Sequence, residues 1–83
     1  MIRIFKESDL SEASFIETKI KNLEFNNDNL YGTEFIKTNL NNVDISSCEI
    51  TNIKFDINSL NGIIIDRFQS QNLIGMLGVK IKD

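Results

Sequence analysis

The sequence predicts an all-β solenoid of stacked coils, closed at its C-terminal end by an α-helix and a short strand. Three observations carry that prediction. An apolar residue stands at every fifth position, without a miss, from Phe5 to Ile65. A twenty-residue period underlies it: residues 15–24 read FIETKIKNLE, residues 35–44 FIKTNLNNVD and residues 55–64 FDINSLNGII. After Ile65 both periods stop and helical spacing begins. Period five suits neither regular element. At 100° per residue, five steps leave a drift of about 140° around a helix, and alternate members fall on opposite faces of a strand. A strict period that fits neither points to a repeat architecture of stacked units.

The coils come first in the chain. Twenty is four fives, so each coil has four sides and each side advances the chain by five residues. Residues twenty apart then lie over one another at the strand spacing of about 4.8 Å, and thirteen centres give about 3.25 coils, or roughly 16 Å of solenoid. The centres point inward: Phe5, Leu10, Phe15, Ile20, Phe25, Leu30, Phe35, Leu40, Ile45, Ile50, Phe55, Leu60 and Ile65. So do the residues two before each centre, most of them small: Ser8, Ala13, Thr18, Leu23, Asp28, Thr33, Thr38, Val43, Cys48, Ile53, Asn58 and Ile63. Phe15, Phe35 and Phe55 form a column whose rings stack, adding about 0.5–1.5 kcal/mol per pair beyond burial. Ahead of the first centre, Met1-Ile2-Arg3-Ile4 is short and apolar, and Ile2 and Ile4 are expected to close the first coil in part. Met1 leads straight into register, which favours a complete chain over the C-terminal part of a longer solenoid or an end stacked on a partner.

The end cover follows. Asp66-Arg67-Phe68-Gln69 reads as a capping box, with Asp66 as N-cap and Gln69 three residues on. Phe68, Asn72, Leu73, Met76 and Leu77 have helical spacing, Gly78 is placed to end the helix, and Val79-Lys80-Ile81-Lys82 alternates like a short strand with one buried face. The domain reading is a repeat solenoid over 1–67 and a helix–strand cap over 68–83.

Ser8-Asp9-Leu10, Ala13-Ser14-Phe15, Asp28-Asn29-Leu30, Thr33-Glu34-Phe35 and Thr38-Asn39-Leu40 resemble the A-(D/N)-L-x-x unit of the pentapeptide-repeat family. Thirteen units in register make the resemblance specific over residues 5–67. It implies a right-handed quadrilateral β-helix. Ile53 and Ile63 depart from the small-residue position and Ile64 from the Asp/Asn position, so the last coil is expected to be wider or less regular. The stretch Gly62 to Asp83 resembles the terminal module of members of the quinolone-resistance type. That resemblance implies a cap that also forms a homodimer interface, through Phe68, Leu73, Met76, Leu77, Val79 and Ile81; Arg67 stands where such modules often have proline.

Composition narrows the chemistry. Eighty-three residues make one small domain, without proline or histidine and with a single cysteine, Cys48. Cys48 falls at a small inward position and reads as a buried structural thiol. Without histidine the chain lacks the usual near-neutral acid–base group and the commonest transition-metal ligand. There is no phosphate loop, nucleophile elbow or zinc spacing. A non-enzymatic protein is therefore expected, with no catalytic residue, cofactor or metal. The chain has no signal peptide and no long apolar run, which reads as a cytoplasmic protein without membrane contact. Asp28 reads as a short acceptor for backbone amides at a corner. The pairs Asn22/Asn42 and Asn41/Asn61 read as structural amide stacks rather than an ice- or glycan-binding surface.

Charge is unevenly placed. Between Phe5 and Arg67 there are eleven acids and six bases. Two adjacent sides hold Glu7, Asp9, Glu12, Glu24, Asp44, Glu49 and Asp66 against only Lys6 and Arg67, while the other two are near neutral. Glu24 over Asp44 is an unfavourable pair unless a cation or partner offsets it. Two function classes follow. One is an interaction scaffold, supported by Ile16, Ile36 and Ile57 on the outside of the Phe15/Phe35/Phe55 side. The other is a DNA mimic that presents Glu7, Asp9, Glu12, Glu24, Asp44 and Glu49 to a basic groove without itself binding nucleic acid. For this mimic the resemblance implies a type II topoisomerase partner, chiefly DNA gyrase, and protection from quinolones or toxins. Roughly 16 Å of duplex bears about nine negative charges, more than this coil carries, so the scaffold is the leading expectation.

Overall fold

The computed structural model describes residues 3–19 and 22–76, the last by its backbone alone. Five short strands and two helices succeed one another: β1 Arg3–Lys6, β2 Ser14–Ile16, β3 Leu23–Asn26, β4 Glu34–Ile36, β5 Lys54–Phe55, α1 Ile57–Leu60 and α2 Arg67–Met76. All pairing is parallel and in the twenty-residue register. Phe5 lies against Phe25 in β1–β3, Phe15 against Phe35 in β2–β4, and Phe35 against Phe55 in β4–β5. Isolated bridges run Asp9 to Asn29 to Glu49 and Asp44 to Ile64, again at twenty. The ladder is that of a β-helix-like solenoid, with rungs of twenty residues.

Two kinds of corner bend the chain. After Leu10, Leu30, Leu40, Ile45, Ile50 and Leu60, the amide three residues on donates to the centre's carbonyl, as in Ala13 to Leu10 at 3.0 Å and Thr33 to Leu30 at 3.1 Å. After Phe5, Phe15 and Phe35 the chain leaves a strand, and the second residue on donates to the next rung, as Glu7 does to Asn26 at 2.8 Å. At both kinds, the turn after Ile45 excepted, the residue two past the centre takes positive φ: Glu7, Glu12, Glu17, Asn22, Asn27, Lys37, Asn42 and Asn52, together with Gly32 and Gly62. Asn tolerates this left-handed region better than other side chains, which explains half of the non-glycine cases.

Every described centre faces inward. Phe25, Leu30, Phe35, Leu40, Ile45 and Ile50 are buried, while Phe5, Leu10 and Phe15 in the first rung and Phe55, Leu60 and Ile65 in the last are partly so. The Phe15, Phe35 and Phe55 rings stack with centroids 5.0 and 5.4 Å apart. A second stack, Phe5 on Phe25 at 5.5 Å, meets the first edge-on across the core at 5.9–6.1 Å. Inward hydroxyls staple the rungs: Thr33 Oγ1 donates to Leu10 O at 2.8 Å, and Thr38 Oγ1 lies 3.0 Å from both Phe15 O and Ile36 O.

Three expectations need correction. Asn58 does not point inward; it is exposed, and Ser59, fully buried, takes its place. The cause is α1, a single helical turn for which Asp56 is the N-cap, its Oδ1 accepting from Ser59 N at 3.1 Å, so the chain here is wound rather than extended. Ile4 does not close the first coil, because it precedes a centre on β1 and therefore faces outward, 47 % exposed. The Asn pairs do not form amide stacks among the described residues; Asn22 and Asn42 serve the corners by their positive φ. The departure of the last coil from regularity is α1 itself.

Candidate interaction surfaces

The C-terminal cover forms as a capping box in both directions. Gln69 N donates to Asp66 Oδ1 at 2.8 Å, and Asp66 N donates to Gln69 Oε1 at 2.9 Å. Gln69 does more than the box requires. Its Nε2 donates to Ile45 O at 2.8 Å and Cys48 O at 3.0 Å, filling two carbonyls of the last rung that no further coil serves. It is buried, as is Leu73, which packs into the core. Phe68 does not cover the coil: it is 87 % exposed, because burying Gln69 and Leu73 turns the face one residue away outward. The side chain of Met76 and residues Leu77, Gly78, Val79 and Ile81, with the strand expected there, lie outside the described residues.

The acidic residues of the predicted flank are all exposed, but they do different work. At corners closed by a hydrogen-bonded turn, the residue before the centre accepts from the amide two positions on: Asp9 from Ser11 at 3.0 Å, Asp44 from Ser46 at 2.8 Å, and Glu49 from Thr51 at 2.9 Å. Ser11 Oγ also donates to Asp9 at 2.6 Å, and Thr51 Oγ1 bonds Glu49. These hydroxyl and amide donors hold all three carboxyls below the usual carboxylate range. Asn29 and Asn39 accept in the same way from Tyr31 and Asn41, at 3.0 Å each. Glu24 sits on β3, where no turn needs an acceptor, and Glu7 and Glu12 occupy positive-φ corners.

Asp28 is the buried acid. Its Oδ1 accepts from Ser8 N of the rung before at 2.7 Å and its Oδ2 from Asn26 N at 3.0 Å, so both oxygens serve the backbone. It stands one rung above Cys48, whose thiol burial pushes upward in pKa. That is the setting of an inert structural cysteine.

The remaining surface feature is apolar. β2, β4 and β5 form the one three-stranded sheet among the described residues. Its outer face carries Ile16, 59 % exposed, beside half-buried Ile36, and the α1 turn that follows raises Ile57, 78 % exposed. Glu17 and Lys37 pair at 3.7 Å at its margin, both well exposed and so worth little to stability.

A five-residue repeat, a twenty-residue rung and an acceptor before the centre converge with the family comparison, in which the model for pentapeptide repeats matches residues 8–46 as eight copies. Residues 8–46 belong to the pentapeptide-repeat family. Comparison with curated proteins gives no match. The match ends before the irregular last coil and the α2 cover. Pentapeptide-repeat proteins are in general structural or interaction proteins rather than enzymes, and no His/Cys/Asp/Glu group fit to hold a metal occurs among the described residues. No described helix is long and apolar enough to cross a membrane.

Sequence reasoning read the acids of the flank as outward, and they are exposed, but it missed Gln69 as a plug for the coil end. A buried-length polar residue at the third helical position, directly under the last turn, was the available signal.

Proposed function

We propose that the chain is a non-enzymatic, cytoplasmic interaction scaffold, whose contact face is the outer surface of β2–β4–β5. The observation that carries this reading is the cluster of Ile16, Ile36 and Ile57, apolar and outward on the three-stranded face of the coil. In this reading the rungs close as a right-handed quadrilateral β-helix of about three coils, a regular support on which side chains keep fixed spacing. Exposed Phe68 supports a homodimer through the C-terminal module. The test uses affinity capture of a binding partner with the native chain and with Ile16→Lys and Ile57→Lys. Loss of that partner with the variants, and little change between low and high salt, is expected. A partner retained by both variants would overturn the face.

A second reading is favoured by the exposed and ionised flank. Asp9, Asp44 and Glu49 keep their charge at lower pH than free carboxylates. Together with Glu7, Glu12 and Glu24 they fit a short DNA mimic acting on a type II topoisomerase. Gyrase supercoiling of relaxed plasmid, with and without a quinolone, tests it. Asp44→Asn and Glu49→Gln are the informative variants, because each keeps a turn acceptor and removes only charge. No effect of the native chain at micromolar levels excludes this reading.

A further inference from the structure

Beside the proposed contact face, at the corner between the Leu10/Leu30/Ile50 and Phe15/Phe35/Phe55 sides, lies an open groove of about 660 Å3. Its middle is a notch. Gly32 takes φ +65 there and has no side chain, and a Cβ would lie 3.3 Å from Glu12 Cγ. Tyr31 stands at the notch, 40 % exposed, with its hydroxyl held by Asn52 Nδ2 at 2.9 Å, which fixes the ring along the wall. Glu12 and Glu34 bring two carboxylates to the same groove. Among the described residues the ion pair is Lys37–Glu17 on another corner, so neither carboxylate has a cation of the chain bound to it. Lys54, in register with Glu34 on β5, also lines the groove without pairing.

An aromatic ring that shares one groove with two carboxylates is matched by a guanidinium, which stacks on the ring and donates from a planar fork. The groove is open, so an arginine on a short peptide binds there weakly and saturates only at high peptide concentration. A side chain presented by a larger molecule does not have this weakness, because contacts beside the groove hold it in place. Ser14, Glu34 and Lys54 belong both to the groove and to the β2–β4–β5 sheet, so one partner can span the two. We infer that the groove takes an arginine side chain of the protein that docks on the isoleucine face. This inference rests on the reading of that face and names the chemistry of its partner.

The test is an NMR titration of 15N-labelled protein with acetyl-Val-Arg-Val-amide and with its citrulline counterpart, which has the same shape without the charge. Saturable shifts at the Tyr31, Gly32 and Asn52 amides, about tenfold tighter for arginine, are expected from the stacked, charge-assisted contact. Glu12→Gln with Glu34→Gln, which keep the side-chain length and an acceptor for Ser14 Oγ, brings arginine down to the citrulline level. Equal binding of the two peptides, the absence of a saturable shift, or shifts centred on Asp44 and Glu49 instead each overturn the inference. Ile16→Lys and Ile57→Lys separate the two readings. A null titration with the captured partner still dependent on those isoleucines defeats the groove alone. Arginine-selective shifts with a partner indifferent to them defeat the face alone.

Discussion

Replacing Asp28 by alanine asks whether a buried carboxylate holds this solenoid together or burdens it. Asp28 is 2 % exposed, and no cation contacts it among the described residues. Taking a charge out of water is costly, and replacing a buried charge by an apolar group can stabilise. Against that, Asp28→Ala orphans two backbone donors, Ser8 N at 2.7 Å and Asn26 N at 3.0 Å. An unsatisfied buried amide costs about 1–3 kcal/mol, and Asn26, being exposed, recovers part of its share from water, so a net loss of about 2–4 kcal/mol is expected. At about 4–8 °C per kcal/mol for a domain of this size, the melting temperature falls by roughly 10–30 °C. Asp28→Asn keeps one acceptor but turns an NH2 toward the other amide, so about half of that loss is expected. Asp9→Ala is the control, since the Ser11 amide it frees is exposed and reaches water. Thermal and urea unfolding followed by circular dichroism measure all three. A melting temperature for Asp28→Ala equal to or above that of the native chain refutes the reasoning, because desolvation of the carboxylate then outweighs its two bonds.

Four further outcomes follow from the same geometry. Leu73→Ala, at the core end of α2, is expected to cost about 2–4 kcal/mol in urea unfolding, whereas Phe68→Ser leaves folding stability unchanged and, if the C-terminal module dimerises, halves the mass by light scattering. Gly62→Ala is expected to destabilise more than Gly32→Ala: both lie at positive φ, at about 1–2 kcal/mol for a side chain there, but at Gly62 the new Cβ also overlaps Asn41 Oδ1 and lies 3.2 Å from Asn41 Cα, whereas at Gly32 it meets only the Glu12 side chain that closely. Gln69→Leu keeps the bulk of the plug and removes its donors, so faster amide hydrogen exchange in α2 and in the Ile45–Cys48 turn is expected, with native-like rates refuting the plug. Asp9, Asp44, Glu49 and Asp56 are held below the usual carboxylate range when folded, the last by Ser59, so the unfolded chain binds more protons in that window. Stability is therefore full above the ordinary carboxylate pKa and is lost as pH falls through the lowered values; melting curves across acid pH should show the decline, flattened by Asp9→Asn, Asp44→Asn, Glu49→Gln and Asp56→Asn together.

The periods made most of the fold legible, because side-chain direction in a stacked coil repeats with the rung. The inward centres, the twenty-residue pairing and the Phe15/Phe35/Phe55 stack all follow from spacing alone. What spacing could not carry is any device that leaves the period. α1 keeps the five-residue step from Phe55 to Leu60 yet winds the chain within it, so Asn58 and Ser59 exchange places. The capping box was readable at Asp66 and Gln69, but helical spacing alone did not say which stripe of α2 meets the coil. Burial of Gln69 and Leu73 decides that, and it leaves Phe68 in solvent.

The same distinction bears on the acidic flank. A closed turn needs an acceptor before its centre, and Asn29 and Asn39 satisfy that need as fully as Asp9, Asp44 and Glu49 do. Geometry therefore accounts for the oxygen at these positions and not for the charge. Glu24, Glu7 and Glu12 go further, since none of them closes a turn. Charge that the fold does not require destabilises the column in which Glu24 lies over Asp44, and it is tolerated where something outside the coil offsets it. Asparagine at Asp9 and Asp44, with glutamine at Glu49, thus divides the two functional readings: an apolar-face scaffold keeps its partner through all three changes, and a mimic loses it.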